Sequence, residues 1–65
     1  MEPENTGTIL RRLRGKRTLE DVANAVGVTK SAMSAYERGT RNPRDEVKVA
    51  IAKFYNKSVQ YIFFK

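Results

Sequence analysis

The chain contains no cysteine, no histidine and no tryptophan among its 65 residues. Without cysteine there is no disulfide staple and no thiolate metal site. Without histidine the commonest metal ligand and the usual general base near neutral pH are both missing. A zinc finger is excluded, and so is a Ser-His or Cys-His catalyst. Carboxylates alone would support few chemistries in a chain too small for a deep pocket. The expectation is a protein that is not an enzyme and holds neither metal nor cofactor. Long apolar runs are missing too. None exceeds four residues, and the run Tyr61-Ile62-Phe63-Phe64 is far short of the roughly 20 residues that a bilayer requires. The start, Met1-Glu2-Pro3-Glu4-Asn5, is acidic and polar, the wrong opening for a secretory signal. A cytoplasmic protein without a membrane segment is expected. The length allows one small domain, which buries only roughly 60% of the surface its unfolded chain exposes.

What is abundant is positive charge: 13 Lys and Arg stand against 7 Asp and Glu, for a net +6. The first ten residues hold Glu2 and Glu4 and no base, a local −2, so the rest carries +8. Arg11, Arg12, Arg14, Lys16 and Arg17 form the densest run. Such an excess points to a polyanion, nucleic acid before an acidic membrane surface. A solvated face that maintains solubility is the plain alternative.

The pattern along the chain is helical, with short turns and no convincing strand. Ile9, Leu10 and Leu13 recur at helical spacing over about 6–14, and Gly15 closes that segment. Thr18 caps a second helix over about 19–26, with Asp21 three residues on. Leu19, Val22, Ala23 and Val26 share its face, and Gly27 stops it. Thr29 caps a third helix over about 30–38, striped by Ala32, Met33 and Tyr36 and ended by Gly39. Asn42 and Pro43 open a fourth over about 43–55, with Asp45 and Glu46 where the helix dipole favours acid. Val47, Ala50, Ile51 and Phe54 follow the amphipathic i, i+3, i+4, i+7 pattern. Ser58 caps a short fifth helix over about 59–64. The predicted fold is all-α, a compact bundle of about five short helices. Residues 1–5 are expected to be a flexible start and 6–65 a single domain. The expected core is Leu10, Leu13, Val22, Val26, Met33, Tyr36, Val47, Ile51 and Phe54.

The segment Leu19 to Arg38 has the pattern of two steeply crossing helices joined by a tight turn. Ala23 is small where the second helix must approach. Gly27 stands at the turn, where a left-handed backbone suits a residue without Cβ. With Leu13-Arg14, Thr18, Gly27-Val28, Tyr36-Glu37-Arg38-Gly39, Arg41 and Pro43 in this order and spacing, the chain resembles the Cro/phage-repressor type of helix-turn-helix protein, the XRE family. The resemblance runs from about Thr6 to Phe64 and implies a lambda-repressor-like DNA-binding domain. Two positions depart from it. Leu19 stands where members often carry Gln, and the loop after the first helix is about two residues shorter than the commonest form. The resemblance also implies an Arg paired with Glu37: Arg14 by motif, Arg12 by ungapped count. Arg14 is preferred because Leu10 and Leu13 then take the apolar positions. A partly buried tether between helices is an equal reading of that pair.

Docking like that of the family would place the third helix in the major groove. Thr29, Lys30, Ser31, Ser34 and Ala35 would then face the bases. Lys30 suits guanine O6 or N7, the serines donate or accept, and the Ala35 methyl suits a thymine methyl. Thr18, Arg14, Arg38, Thr40, Arg41 and Asn42 would contact phosphates. For Arg11, Arg12, Lys16 and Arg17 a solvated face and a direct contact are equally open. The tail places Val59, Tyr61, Ile62, Phe63 and Phe64 in six positions, more than one helical face can bury. A homodimer contact through Val59, Ile62, Phe63 and Phe64 is therefore expected, against the alternative that all pack internally.

The expected function is a sequence-specific transcriptional regulator, a repressor binding double-stranded DNA at a palindromic operator as a dimer. With no second domain in view, promoter occupancy is the simplest mechanism, and a bacterial, phage or mobile-element regulator is implied. An antitoxin or repressor-modulating interaction protein is the alternative on the same fold. A nonspecific RNA binder lacks support, because no aromatic platform interrupts the basic residues.

Overall fold

A computed structural model of the protein describes residues 5–64. Five helices follow in order: α1 (Thr6–Arg14), α2 (Leu19–Val26), α3 (Lys30–Arg38), α4 (Asp45–Tyr55) and α5 (Val59–Phe63). Among the described residues there is no strand, and no helix is long and apolar enough to cross a membrane.

Four helices begin at a side chain that accepts an otherwise orphan amide. Thr18 accepts from Asp21 N–H at 3.0 Å, Thr29 from Ala32 N–H at 3.0 Å and Ser58 from Tyr61 N–H at 3.0 Å. Asn5 does the same for α1, accepting from Thr8 N–H at 2.8 Å. Asn5, the last residue of the expected flexible start, is thus the N-cap of α1, and residues 1–4 lie outside the described residues. The chain leaves α2 and α3 by one device. Gly27 and Gly39 adopt left-handed backbone with φ of 81° and 77°. The next amides, of Val28 and Thr40, then reach back to the carbonyls of Ala23 and Ala35. Asn56 repeats this after α4 at φ 56°, a conformation that asparagine tolerates.

The fourth helix starts later than its sequence suggests. Pro43 is buried in the preceding loop, and the N-cap is Arg44, which makes no side-chain cap. Asn42 is exposed and caps nothing. Asp45 and Glu46 supply first-turn negative charge in its place.

Ile9, Leu10, Val22, Met33, Ile51 and Ile62 are the largest fully buried side chains. Each contributes about 1.5–3 kcal/mol by burial. Leu13, Val26 and Val47 pack against them from the margin, partly buried. Phe54 is not in the core; it is 36% exposed. Ile51, Ala52 and Tyr55 face inward on α4. At about 100° of rotation per residue Phe54 is carried off that face. Ile62 is also misplaced by the sequence reading. It is fully buried within the chain's own core and so cannot form a dimer surface. The hydroxyl of Thr6 donates to the Ile62 carbonyl at 3.0 Å, fixing the start of α1 on α5.

One close approach organises the bundle around α3. A Cβ placed on Gly7 would overlap the carbonyl oxygen of Glu37 and lie 3.0 Å from its carbon. Only glycine lets α1 touch the C-terminal end of α3 there.

Candidate nucleic-acid interface

The α2–turn–α3 unit is rigid for reasons visible in its residues. Val22 and Ala23 of α2 and Ala32 and Met33 of α3 are buried together, with Val28 half-buried at the turn. On α3 the inward stripe of Ala32, Met33 and Tyr36 leaves the other face outside. Lys30 and Ser31 are exposed there, while Ser34 and Ala35 are half-buried beside them. The Lys30 side chain has no hydrogen bond, ion pair or ring contact among the described residues. The hydroxyl of Thr29 accepts from Ala32 N–H, so its proton remains available to an outside acceptor. Arg38 lies back along the helix, its Nε donating to Ser34 Oγ at 3.3 Å.

Beyond Gly39 the chain turns under α3. Thr29, Ala32, Tyr36, Arg41, Asn42 and Arg44 border an open groove of about 490 Å³ between α3 and the start of α4. Arg41, Asn42 and Arg44 are exposed on it. Arg44 escaped the sequence reading. Its only signal was a basic residue beside Pro43, in a segment taken for the helix itself. The Thr40 amide donates to the Ala35 carbonyl at 3.1 Å and so closes α3, while its exposed hydroxyl lies 3.4 Å from the same carbonyl, a long contact.

Arg14 forms a two-pronged pair with Glu37. Nε donates to Oε2 at 2.8 Å and Nη2 to Oε1 at 3.2 Å. Nη1 donates to the Arg17 carbonyl at 2.9 Å. The Glu37 side chain is 4% exposed and that of Arg14 23%. The hydrogen bond to Glu37, opposed by burial, holds the Arg14 guanidinium above its ordinary pKa. Arg12 points elsewhere, its Nη2 donating to the Tyr61 hydroxyl at 2.8 Å. The motif-based choice of Arg14 over Arg12 agrees with these contacts. One guanidinium thus joins α1, the α1–α2 loop and α3. Arg17 fastens the same loop to α4, its guanidinium 5.4 Å from the Phe54 ring centre and 5.9 Å from that of Tyr55. Burial, and then the nearby Glu37, push the Tyr55 phenol upward, with Arg17 and Arg14 opposing.

The helix-turn-helix family matches residues 10–62, more than half of the chain. The chain belongs to this helix-turn-helix family. The cryptic phage CTXphi transcriptional repressor RstR of Vibrio cholerae is 48% identical to this helix-turn-helix chain over 48 residues, covering 71% of the chain and 43% of RstR. The HTH-type transcriptional regulator YobD of Bacillus subtilis (strain 168), itself uncharacterised, is 38% identical over 55 residues, covering 82% of the chain and 49% of YobD. The helix-turn-helix chain therefore spans about half the length of the curated relatives it matches. Among solved structures it is similar to the P22 c2 repressor in complex with synthetic operator 9T. The TM-score is 0.91 at 26% identity, over 95% of this chain and 97% of that one. The solution structure of the P22 c2 repressor DNA-binding domain gives a TM-score of 0.86 at 28% identity, over 95% and 84% of the two chains.

Proposed function

We propose that this chain is the sequence-reading unit of a DNA-binding transcriptional regulator of the repressor type, with α3 in the major groove. The observation that carries this reading is the first turn of α3. Lys30 and Ser31 stand exposed on a helix whose opposite face is locked into the core. Lys30 donates to a guanine edge, Ser31 and Ser34 donate or accept, Thr29 offers its hydroxyl proton, and Ala35 meets a thymine methyl. Around them Arg38, Arg41, Asn42 and Arg44 take phosphates on one side, with Thr18 and the amides it leaves open on the other. Arg14, held on Glu37, turns its remaining N–H groups toward the backbone. The likeness to a repressor solved on operator DNA supports this reading.

The regulator works as a homodimer in the cytoplasm of a bacterial or phage-infected cell. It represses by occupying a two-fold operator whose half-sites lie about one helical turn apart. The dimer contact is the apolar end formed by Val59, Phe63 and Phe64. Phe64 is 56% exposed, and Val49 of α4 44%. The Lys48 ammonium lies 5.7 and 4.8 Å from the ring centres of Phe63 and Phe64, holding them together at the surface.

The test is a gel shift and footprint on DNA flanking the protein's own gene, with Lys30→Ala beside the wild type. The variant should lose on the order of 1–3 kcal/mol on the protected site, about 5- to 150-fold, and little on random DNA. Equal loss on both would reassign Lys30 to phosphate binding. No protected site at all would overturn the regulator reading.

A further inference from the structure

Three of the five basic residues that end α1 and its loop, Arg12, Arg14 and Arg17, are tied down by contacts, whereas Lys16 is exposed in the loop. Arg12 is bonded to Tyr61 on α5, Arg14 to Glu37 on α3, and Arg17 lies on the rings of Phe54 and Tyr55 on α4. Each ties the first helix or its loop to another helix. Arg11 does not. It is exposed, and among the described residues its guanidinium has no hydrogen bond, ion pair or ring contact.

Its place on α1 is fixed by the helix. At about 100° per residue, Gly7, Arg11 and Arg14 fall within an arc of roughly 60°. Both neighbours on that arc touch one point of the fold. Gly7 abuts the Glu37 backbone and Arg14 grips the Glu37 carboxylate. Arg11 lies between them in the sequence, on the solvent edge of the face that α1 turns to the C-terminal end of α3. Arg38 follows Glu37 directly at that end. The nearby carboxylate, Glu37, is already engaged by Arg14, so Arg11 carries its charge on the edge of α1 with no counter-ion among the described residues.

From this placement we propose that Arg11 is a phosphate contact outside the helix-turn-helix unit. It extends the footprint along the strand that passes the C-terminal end of α3. The proposal rests on α3 lying in the major groove. Arg11 grips the sugar-phosphate backbone of any duplex in that register and carries no base preference. Arg12, one residue on, is turned about 100° away and makes no such contact.

The experiment measures binding to a mixed-sequence duplex of about two helical turns across a salt series, for wild type, Arg11→Ala, Arg12→Ala and Arg41→Ala. Each phosphate contact adds about 0.9 to the slope of log affinity against log salt. Arg11→Ala should lower the slope by about one unit, so its affinity falls about 3.5-fold less than that of the wild type between 50 and 200 mM salt. Arg12→Ala should leave the slope as it is. Arg11→Lys should restore it, because a point charge suffices for a phosphate. Thermal unfolding of Arg11→Ala should match the wild type, since the side chain has no partner to lose. A lowered slope in Arg41→Ala with an unchanged slope in Arg11→Ala would overturn this proposal and leave the docking intact. Unchanged slopes in both would overturn the docking itself.

Discussion

Breaking the Arg14–Glu37 pair is the most demanding perturbation for this fold. Glu37→Gln keeps the shape of the side chain and removes its charge. The carboxylate it replaces is 4% exposed and accepts two bonds from one guanidinium. Removing one partner of a fully buried pair costs about 3–5 kcal/mol, because the other charge is left uncompensated. Arg14 is 23% exposed and can recover part of its hydration. The expected loss is therefore smaller, about 2–3 kcal/mol. At roughly 0.05–0.15 kcal/mol per residue, a chain of 65 residues has only about 3–10 kcal/mol in total. The melting temperature should fall by about 10–20 °C. Arg14→Met, Glu37→Gln and the double variant, unfolded in urea and followed by far-UV circular dichroism, complete a cycle that isolates the pair. The coupling energy should be at least about 1.5 kcal/mol. It should persist in about 1 M salt, because burial protects the pair from screening. A coupling below about 0.5 kcal/mol would refute the claim that this pair joins α1 to α3. The raised Arg14 pKa adds no pH dependence in the usable range. Its stabilising effect is complete below the guanidinium's ordinary, strongly alkaline titration and is lost only above it.

The other predictions concern packing, titration and assembly. Gly7→Ala should destabilise by at least about 1–3 kcal/mol, since the new methyl meets the Glu37 backbone and not a movable side chain; a wild-type melting temperature would count against the close approach. Tyr55 has a folded pKa above its ordinary 10.0, so its favourable effect is full below that value and is lost as pH rises through the folded one. Wild type should lose stability above about pH 10 more steeply than Tyr55→Phe, measured as urea midpoints at pH 8 and 10.5. Because the Tyr55 hydroxyl is buried and without a hydrogen-bond partner, Tyr55→Phe at pH 8 should be neutral or more stable by up to about 1 kcal/mol. Phe64→Ser should shift sedimentation at tens of micromolar from dimer toward monomer; identical profiles would refute the proposed contact.

Much of this architecture is legible in local chemistry. Thr18, Thr29 and Ser58 announce helix starts, and Gly27 and Gly39 announce stops, because caps act within a few residues. The Arg14–Glu37 pair was reachable only through the order of motifs, since 23 positions separate its members. What escaped depends on tertiary geometry. Gly7 looks like an ordinary glycine until α3 is placed against it. Phe54 fits an amphipathic stripe, but the core lies on the Ile51, Ala52 and Tyr55 side. Ile62 has the same apolar character as Phe63 and Phe64, and only the packing of α5 decides which is enclosed. Pro43 reads equally well as a first helical residue or as a buried loop anchor. That the Thr40 amide closes α3 on Ala35 is likewise visible only in the fold. The tie from Arg12 to Tyr61 spans 49 positions and leaves no local trace.

The central claim is that the exposed first turn of α3 reads base sequence. Selection of duplexes from a random pool by the wild-type protein tests it most directly, with Lys30→Ala run in parallel. The account predicts one enriched two-fold motif, with half-sites about one helical turn apart, and relaxed preference at one base pair per half-site for the variant. Enrichment of no motif, or of the same motif with undiminished preference by both proteins, would contradict it.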